Sequence, residues 1–329
     1  MPSKLMIGRR TVLGAALCAA GAPALAQDVA PRNAYPTGPI GVALPVGQGE
    51  TLDAFMRALL GEMARTLGWR FNLTDNRDVA AVVLAAGKAE PDGYHLLIGT
   101  QAALAIAPDL PPLPEEPPPA FEPIVGLCDV PLVFAVSRNL PAQGLRDLIE
   151  LTQGQPERYR YGSIGIGSTG HLAAELFKQQ TRTVASHAVF ATSAQLVQAL
   201  VDGRVDFAIL PIAPIWQGYR SGQLKVLAVM GATHDKALPG VRTLREAGIA
   251  GIEIAGWFGC FAPAGIAVPT ANLLADAFAA ALRTETGRRL CERYGFTANL
   301  RDPTTCRPLI AADRALFAEV IRRGRLRRV

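Results

Sequence analysis

Short apolar runs alternate along the chain with segments whose apolar residues follow a helical period. The runs of strand length lie at residues 40–46, 95–99, 132–136, 205–210, 225–230 and 258–261. Continuously apolar strands are typical of sheets that helices cover on both faces, and alternating strands and helices are typical of parallel sheets. The pattern therefore predicts the α/β class, with mainly parallel sheets.

The clearest helical pattern follows the first apolar run. Its apolar residues are spaced by three and four positions, which places them on one face of a helix: Leu52, Phe55, Met56, Leu59, Leu60 and Met63. Gly68 comes directly after this pattern, as is typical of a helix end. Shorter patterns predict two further helices, at residues 171–180 and 194–202.

Two glycine-bearing segments, residues 45–53 and 162–171, each join a predicted strand to a predicted helix. Ligands of open α/β sheets bind at such junctions, where the free N–H groups of a helix start favour a carboxylate or a phosphate. Glycine also allows the backbone to approach the ligand closely. Tight turns of this kind also use glycine without any ligand, so that alternative stays open.

Residues 108–123 are rich in proline, which suits neither a helix nor a central strand. We expect an extended surface connection there, near the end of a first domain. The length of 329 residues is enough for two domains. Half of the residues are apolar and 19% are charged, which excludes an intrinsically disordered chain.

The net charge of +5 needs to be located before it is interpreted. Lys4, Arg9 and Arg10 supply much of the excess from a segment that contains no acid. A second basic segment contains no aromatic residue between its arginines: Arg322, Arg323, Arg325, Arg327 and Arg328. Base stacking on aromatic side chains is what recognition of single-stranded nucleic acid requires. We therefore predict a solvated tail and no nucleic-acid partner.

Residues 1–26 have the parts of a secretory signal peptide. A basic start precedes an apolar run, and Ala24 and Ala26 provide a cleavage site. The pair Arg9 and Arg10 is compatible with twin-arginine export, and the general secretory route remains the alternative. We predict a periplasmic protein with a cleavable signal peptide, and Cys18 is not expected to carry a lipid because the large Leu17 precedes it.

Cysteine and histidine residues give no metal site. Four cysteines follow the signal peptide at wide spacings, without a CxxC pair: Cys128, Cys260, Cys291 and Cys306. Disulfides and buried free thiols both remain open. Ser168 and His171 suggest an exported serine hydrolase as an alternative function, but a cap and a packed side chain explain this spacing more simply, and the GxSxG elbow is absent. We expect no catalytic residue and no cofactor.

Several segments together resemble the Bug (TctC-like) family, the extracytoplasmic substrate-binding proteins of tripartite tricarboxylate transporters. The resemblance starts near Tyr35 and is carried, in order, by residues 35–40, 45–53, 75–77, 91–100, 165–178 and 257–265. It implies a two-lobed periplasmic-binding-protein fold of type II, with two crossover strands near residues 126–136 and 255–263. The lobes would be residues 27–130 with 257–329, and residues 131–256. It also implies that Cys128 and Cys260 lie near neighbouring crossovers, where a disulfide is conceivable.

The resemblance further implies a monomer that closes on a small organic acid or an amino-acid-like ligand and delivers it to membrane subunits. Backbone amides would hold the carboxylate. The expected ligand-binding residues lie in both lobes: Val46, Gly47, Gln48, Gly49, Glu50, Thr51, Thr100, Gln101, Ser163, Gly165, Gly167, Ser168, Thr169 and Phe190. The alternative partner is a sensor receptor, in which case the protein signals without transport.

The chain departs from the family pattern in its first glycine-bearing segment. Relatives have consecutive glycines there, whereas Gly49 is followed by Glu50 and Thr51. Glu50 is expected either to be a solvated acid at a helix N-terminus, which we favour, or to bind an ammonium group of the ligand. Leu210 or Pro211 stands where relatives have an acidic or amide residue, which suggests a more apolar or an amino-bearing ligand.

Overall fold

The computed structural model describes residues 35–112, 119–155 and 158–328. The predicted signal peptide at residues 1–26 lies outside the described residues, as does the middle of the proline-rich segment. No helix within the described ranges has both the length and the apolar character that are needed to cross a lipid bilayer.

The first sheet has six strands in the order β11-β4-β10-β3-β1-β2. Its strands come from both ends of the described chain: β1 Ile40–Leu44, β2 Phe71–Asp75, β3 His95–Thr100, β4 Phe121–Val130, β10 Gly256–Pro263 and β11 Thr297–Arg301. Helices α1, α7 and α8 share an apolar core with this sheet, and Phe55, Phe258 and Phe278 are among its fully buried side chains. The three helices span Thr51–Leu67, Val268–Arg283 and Glu285–Tyr294.

The second sheet has five strands in the order β7-β6-β8-β5-β9. They come from one continuous stretch: β5 Leu132–Ser137, β6 Arg160–Ser163, β7 Ser186–Val189, β8 Phe207–Pro211 and β9 Leu224–Val229. The remaining helices are α2 Val79–Gly87, α3 Leu145–Gly154, α4 Thr169–Thr181, α5 Ser193–Val201, α6 Ile212–Arg220 and α9 Pro303–Gly324.

The chain passes between the sheets twice. It leaves the first sheet at Val130, where β4 ends, and enters the second at Leu132, where β5 begins; it returns through β10. The α/β class with two lobes is thus confirmed. The lobe boundaries at residues 130 and 256 stay predictions, although the strands change sheets close to both.

The sheets are mixed, so the prediction of mainly parallel sheets is wrong. Strands β1, β2 and β3 pair in parallel, but β10 runs antiparallel to both β3 and β4. In the second sheet, β5 is antiparallel to both of its neighbours. These antiparallel strands are the ones that carry the chain across, and apolar runs do not reveal strand direction because burial on both faces makes all central strands apolar.

The proline-rich segment is only partly an extended connection. Residues Ala107–Asp109 form one turn of 3₁₀ helix, and Leu110 behind them is buried. Pro123 lies inside β4, a central strand, where the register with β10 shifts between Cys260 and Phe261. A shift of register accommodates a residue that has no N–H to donate.

Local signals set the ends of the first helix. Its apolar stripe is buried as the spacing predicts, with Phe55, Met56 and Leu59 fully inaccessible. Gly68 adopts a left-handed conformation with φ of 71° and donates its N–H to the carbonyl of Ala64. The glycine therefore ends α1 where the sequence predicts it.

Candidate functional site

A cavity of about 450 Å³ lies between the two sheets. Its wall includes the turn before α1 on one side and the turn before α4 on the other. Apolar side chains form most of the remaining wall, among them Leu52, Leu110, Leu196, Leu210, Trp257 and Phe258. The two glycine-bearing turns that the sequence singles out thus open into one shared space.

Most of the candidate residues lie in the cavity wall: Val46, Gly47, Glu50, Thr51, Thr100, Gln101, Gly165, Gly167, Ser168 and Thr169. The structure does not bring Gln48, Gly49, Ser163 or Phe190 there. Gln48 and Gly49 are exposed outside the wall, and Phe190 packs against the core beside α5. Ser163 is buried beneath the turn, where its hydroxyl donates to the carbonyl of Gly165.

The turn before α1 presents free amides. Thr51 and Leu52 are the first two residues of the helix, and their N–H groups have no partner among the described residues. Asp53 faces away from them: its Oδ2 accepts a hydrogen bond from the Gly49 amide at 2.8 Å, and its Oδ1 is 2.8 Å from Nε of Arg57. The turn is therefore held from behind, and its open donors are left for the cavity.

Glu50 joins this turn to the opposite wall. The hydroxyl of Ser193 donates to Oε2 of Glu50 at 2.6 Å, and the Glu50 side chain is 17% exposed. Arg77 lies beside it, 3.8 Å from Oε1, and donates to the carbonyl of Ala191 at 2.6 Å. The expectation of a solvated Glu50 is therefore wrong, because the carboxylate is used at the N-terminus of α5 across the cavity.

The turn before α4 has a different construction. Gly165 and Gly167 have positive φ angles of 128° and 87°, which L residues rarely adopt. The hydroxyl of Ser168 caps the helix by accepting from the amide of His171. Gly170 packs so closely on β8 that a side-chain carbon would overlap the carbonyl oxygen of Ile209.

The first amides of α4 also remain available. Thr169 and Gly170 donate to no group in the described part of the chain, and both line the cavity. The N-termini of two helices, α1 and α4, thus lie in the wall of the cavity on opposite sides. Free N–H groups and the positive end of the helix dipole make such a place favourable for an anion.

A buried polar network supports the α4 turn from below. His187 Nε2 is 2.8 Å from the hydroxyl of Ser163, and Nδ1 of His171 accepts from the amide of Gly167 at 3.2 Å. The two imidazoles stack with ring centroids 4.2 Å apart, and Tyr161 stacks on His187. Burial lowers the pKa of both histidines to about 4, which keeps the rings neutral at physiological pH.

Glu175 completes this network. It accepts hydrogen bonds from the hydroxyl of Tyr161 and from Nζ of Lys178, the latter at 2.7 Å. Burial alone would raise the pKa of the Glu175 carboxyl, but the two donors outweigh it and the net shift is downward. The acid is therefore ionised and paired, which is how a buried carboxylate is tolerated.

The hydrolase alternative does not have the geometry that it needs. The Ser168 hydroxyl donates to the carbonyl of Gly165, and His171 directs its Nδ1 to the amide of Gly167. A nucleophile must hydrogen-bond to its base, and these two side chains do not. Within the described ranges, no group of three or more histidine, cysteine or acidic residues could hold a metal ion.

Gln101 and Trp257 share one anchor behind the cavity wall. Nε2 of Gln101 and Nε1 of Trp257 both donate to Oδ2 of Asp313, at 2.8 and 2.6 Å. Both donors line the cavity, whereas Asp313 belongs to α9 and lies outside the wall. Asp313 therefore fixes the position of two wall residues, Gln101 just after β3 and Trp257 in β10.

Comparison with known proteins identifies the architecture around this cavity. The family model for TctC, the tripartite tricarboxylate transporter family receptor, matches residues 55–324. The chain belongs to the TctC receptor family. This TctC receptor is 28% identical over 306 residues to BugT of Bordetella pertussis, which covers 91% of this chain and 94% of BugT. It is 29% identical over 269 residues to the UPF0065 protein in the tcbD-tcbE intergenic region of Pseudomonas sp. (strain P51), covering 80% and 79%.

Solved structures agree with this assignment. The structure of R. palustris Rpa4515 with adipate has a TM-score of 0.79 and 26% identity, and the match covers 90% of this chain and all of that one. A periplasmic transporter matches with a TM-score of 0.80 and 26% identity, covering 89% and 99%. The TctC receptor is thus a periplasmic solute-binding protein, and its family consists of substrate-binding receptors rather than enzymes.

The sequence does not reveal much of the apolar wall of the TctC receptor. Phe296 comes from a segment that no pattern marks, Leu196 from a predicted helix that was not connected with the site, and Leu110 from the proline-rich stretch. Among the apolar wall residues, Trp257 and Phe258 are the ones that the sequence indicates best, because they lie at the start of a predicted crossover strand. Distant segments meet here only through the topology of the sheets, which local spacing does not encode.

The cysteines of the TctC receptor are free thiols in the described structure. Cys128 and Cys260 lie on adjacent strands but are not opposed, because Cys128 pairs with Phe258 and Cys260 with Val125. The conceivable disulfide between them is therefore not formed. The sulfur nearest to Cys128 is that of Cys291, at 4.0 Å, and both residues are buried.

Proposed function

We propose that this TctC receptor binds a small carboxylate in the cavity between its sheets and delivers it to the membrane subunits of a tripartite transporter. The observation that carries the proposal is the meeting of two helix N-termini, α1 and α4, at one cavity. Each contributes amides that no protein group satisfies in the described structure. An anionic ligand would complete both ends.

The energetics favour a carboxylate at this place. An anion near a helix N-terminus gains typically about 0.3–1 kcal/mol from the dipole, and hydrogen bonds to a charged group are worth about 1.5–3 kcal/mol each. The free amides of Thr51 and Leu52 on one side, and of Thr169 and Gly170 on the other, supply these bonds. Rpa4515, which shares the fold at 26% identity, was solved with a dicarboxylate, adipate.

The contacts across the cavity support capture by closure of the two lobes. Glu50 and Arg77 belong to the first lobe, and they bond to Ser193 and Ala191 of the second. Such contacts form only when the lobes are close together, so ligand binding that favours the closed form would be coupled to them. Closure then offers a membrane subunit a surface that depends on the ligand.

Export completes the proposal. Residues 1–26, outside the described part, would act as the signal peptide that directs the receptor to the periplasm. Arg9 and Arg10 are compatible with the twin-arginine route as well as with the general secretory route. Replacing both arginines by lysine distinguishes the two routes. Loss of export in that variant would indicate the twin-arginine route.

A ligand screen by thermal unfolding tests the proposed function. The protein purified from the periplasm is heated with adipate, succinate, hexanoate, glutamate, neutral adipamide or cationic putrescine. A ligand present at 100 times its Kd stabilises the folded state by about 2.7 kcal/mol, which raises Tm by several degrees. We expect at least one acid to do so and adipamide and putrescine to have no effect. Stabilisation by a neutral or cationic solute alone would contradict the proposal.

A further inference from the structure

The segment that follows α9 folds back onto the protein at Arg328, whereas the other four arginines of the predicted solvated tail are exposed. Arg325 ends α9 in a left-handed conformation. The backbone amide of Arg328 then donates to the carbonyl of Pro111 at 2.6 Å, and its Nη2 donates to the carbonyl of Ala107 at 2.7 Å. These bonds place Arg328 in the wall of the cavity, while Arg325 and Arg327 remain exposed.

Arg328 lines the cavity without a counter-charge among the described residues. Glu50 and Arg77 pair with each other and with the opposite lobe. Asp78 caps α2 by accepting from the amide of Ala81. Among the described residues no carboxylate pairs with Arg328, whose guanidinium makes a single hydrogen bond, to Ala107. The remaining guanidinium donors of Arg328 thus have no partner in the part of the chain that the structure describes.

The position of Arg328 connects it with the α4 turn. Residues 107–111, which hold Arg328, also contact Gly167: a side-chain carbon on Gly167 would be 2.6 Å from Cδ2 of Leu110. Ala107, Leu110 and Gly167 all line the cavity. The arginine and the free amides that follow Gly167 therefore flank the same short segment.

We propose that Arg328 binds the carboxylate of the ligand together with the N-terminus of α4. This assignment rests on the proposed function and makes it more specific. A guanidinium and a row of amides both present N–H donors to a carboxylate, and arginine does so in a fork that matches two oxygens. The apolar remainder of the wall indicates the class of ligand: an organic acid whose carboxylate is joined to an apolar chain or ring.

Calorimetric titration of matched variants tests the role of Arg328. Arg328→Gln removes the charge and keeps an N–H that can donate to Ala107. Arg327→Gln removes the same charge from the exposed neighbour and is the control. The probes are adipate and hexanoate. Because one charge-assisted hydrogen bond is worth about 1.5–3 kcal/mol, we expect Arg328→Gln to weaken binding about 10- to 100-fold and Arg327→Gln to change it less than about twofold.

A second variant and a stability measurement separate binding from folding. Arg328→Lys keeps a point charge without the fork, so it should regain about half of the lost affinity on a logarithmic scale. The Tm of all three variants without ligand should stay within about 2 °C of that of the native protein, since surface changes cost little. A lower Tm for Arg328→Gln alone would assign the arginine to tail packing and overturn the proposal.

The outcomes distinguish this proposal from the proposed function. If the native protein binds an acid and Arg328→Gln binds it equally well, the role of Arg328 is refuted and the carboxylate receptor stands. Equal losses in Arg328→Gln and Arg327→Gln would show a general effect of tail charge and also refute it. If the native protein binds neither acid nor any other acid of the thermal screen, the proposed function fails and this assignment fails with it.

Discussion

The helix N-termini on the two sides of the cavity are held in different ways. The α4 turn rests on a buried network of neutral imidazoles, a paired carboxylate and a glycine in close contact with β8. The α1 turn rests on Asp53, whose partner Arg57 is 43% exposed, and is completed by Glu50 bonding across the cavity. The α4 turn is therefore held by contacts within its own lobe, whereas the α1 turn acquires its final contacts from the opposite lobe.

This difference suggests a division of labour in ligand capture. A binding group held by packed, hydrogen-bonded neighbours keeps its geometry without ligand, which reduces the cost of binding. The α4 turn has this property and would receive the ligand first. The α1 turn would add its amides on closure, when Glu50 reaches Ser193 and Arg77 reaches Ala191. Three predictions test this comparison.

The largest combined effect on unfolding free energy and ligand affinity is expected for Gly170→Ala, which disturbs the α4 turn. The new methyl group would overlap the carbonyl oxygen of Ile209, so the start of α4 must move away from β8. Overpacking of this kind costs about 3 kcal/mol of unfolding free energy. Because the free amides move as well, ligand affinity should fall at least about 100-fold in the same variant.

Gly61→Ala provides the control for that experiment. Gly61 lies inside α1, and a side-chain carbon there would contact nothing within 4 Å. Alanine in an open helical position should stabilise the protein by about 0.5–1 kcal/mol. Urea unfolding and calorimetric titration measure both variants. A Gly170→Ala protein with native affinity would show that the α4 turn is not the preformed wall.

The second prediction concerns the pH dependence of stability that arises from the histidines below the α4 turn. The pKa of His171 and of His187 is lowered to about 4 in the folded protein, first of all by burial, whereas an unfolded histidine titrates near 6.5. Between these values the unfolded chain binds protons that the folded protein does not bind. The stabilising contribution is therefore complete above pH 6.5 and is lost as pH falls towards 4.

The groups around the two rings set the size of this effect. Burial is the largest cause for both rings; Glu175 raises their pKa and Lys178 lowers it, and His171 also lowers the pKa of His187. We expect each ring to cost about 3 kcal/mol of unfolding free energy between pH 7 and pH 4. Urea unfolding at several pH values measures it. His187→Gln should reduce the slope, and an unchanged slope would mean that neither ring stays neutral on folding.

The sequence predicts the framework of these walls much better than their contacts. The apolar stripe of α1, its end at Gly68 and the glycine-bearing turns are local patterns, and each occurs where the sequence places it. Sheet direction fails because apolar strands look alike whichever way they run. The antiparallel β5 and β10 could be inferred only from the family resemblance, which places the crossovers there.

The errors within the site have a common physical cause. Glu50 follows the local rule for an acid at a helix N-terminus, yet its actual partner is Ser193, 143 residues away. Arg328 reads as part of a solvated tail, yet it bonds to Ala107, 221 residues away. Ser163 is predicted to bind the ligand, yet its hydroxyl lies 2.8 Å from Nε2 of His187, one of the two stacked histidines. Long-range partners of single polar side chains leave no periodic trace in a sequence.

The smallest effect on ligand affinity is expected for changes at the α1 turn, whose contacts with the opposite lobe depend on closure. Glu50→Gln removes the charge of the acceptor, and Ser193→Ala removes the donor, of the hydrogen bond across the cavity. That bond exists only with the lobes together, so each change should shift the population towards the open form and weaken ligand binding about fivefold. Combined in a double-mutant cycle on adipate affinity, the two changes should show a coupling of about 1 kcal/mol.

The same variants distinguish a contact that acts on closure from one that acts on folding. Without ligand, Glu50→Gln and Ser193→Ala should change the unfolding free energy by less than about 0.5 kcal/mol, because the open form loses nothing. Glu62→Gln is the control, since Glu62 lies on the same helix and pairs with Arg65 of that helix rather than with the opposite lobe. Equal losses of stability and affinity at Glu50, or a coupling near zero, would mean that the α1 wall is as preformed as the α4 wall.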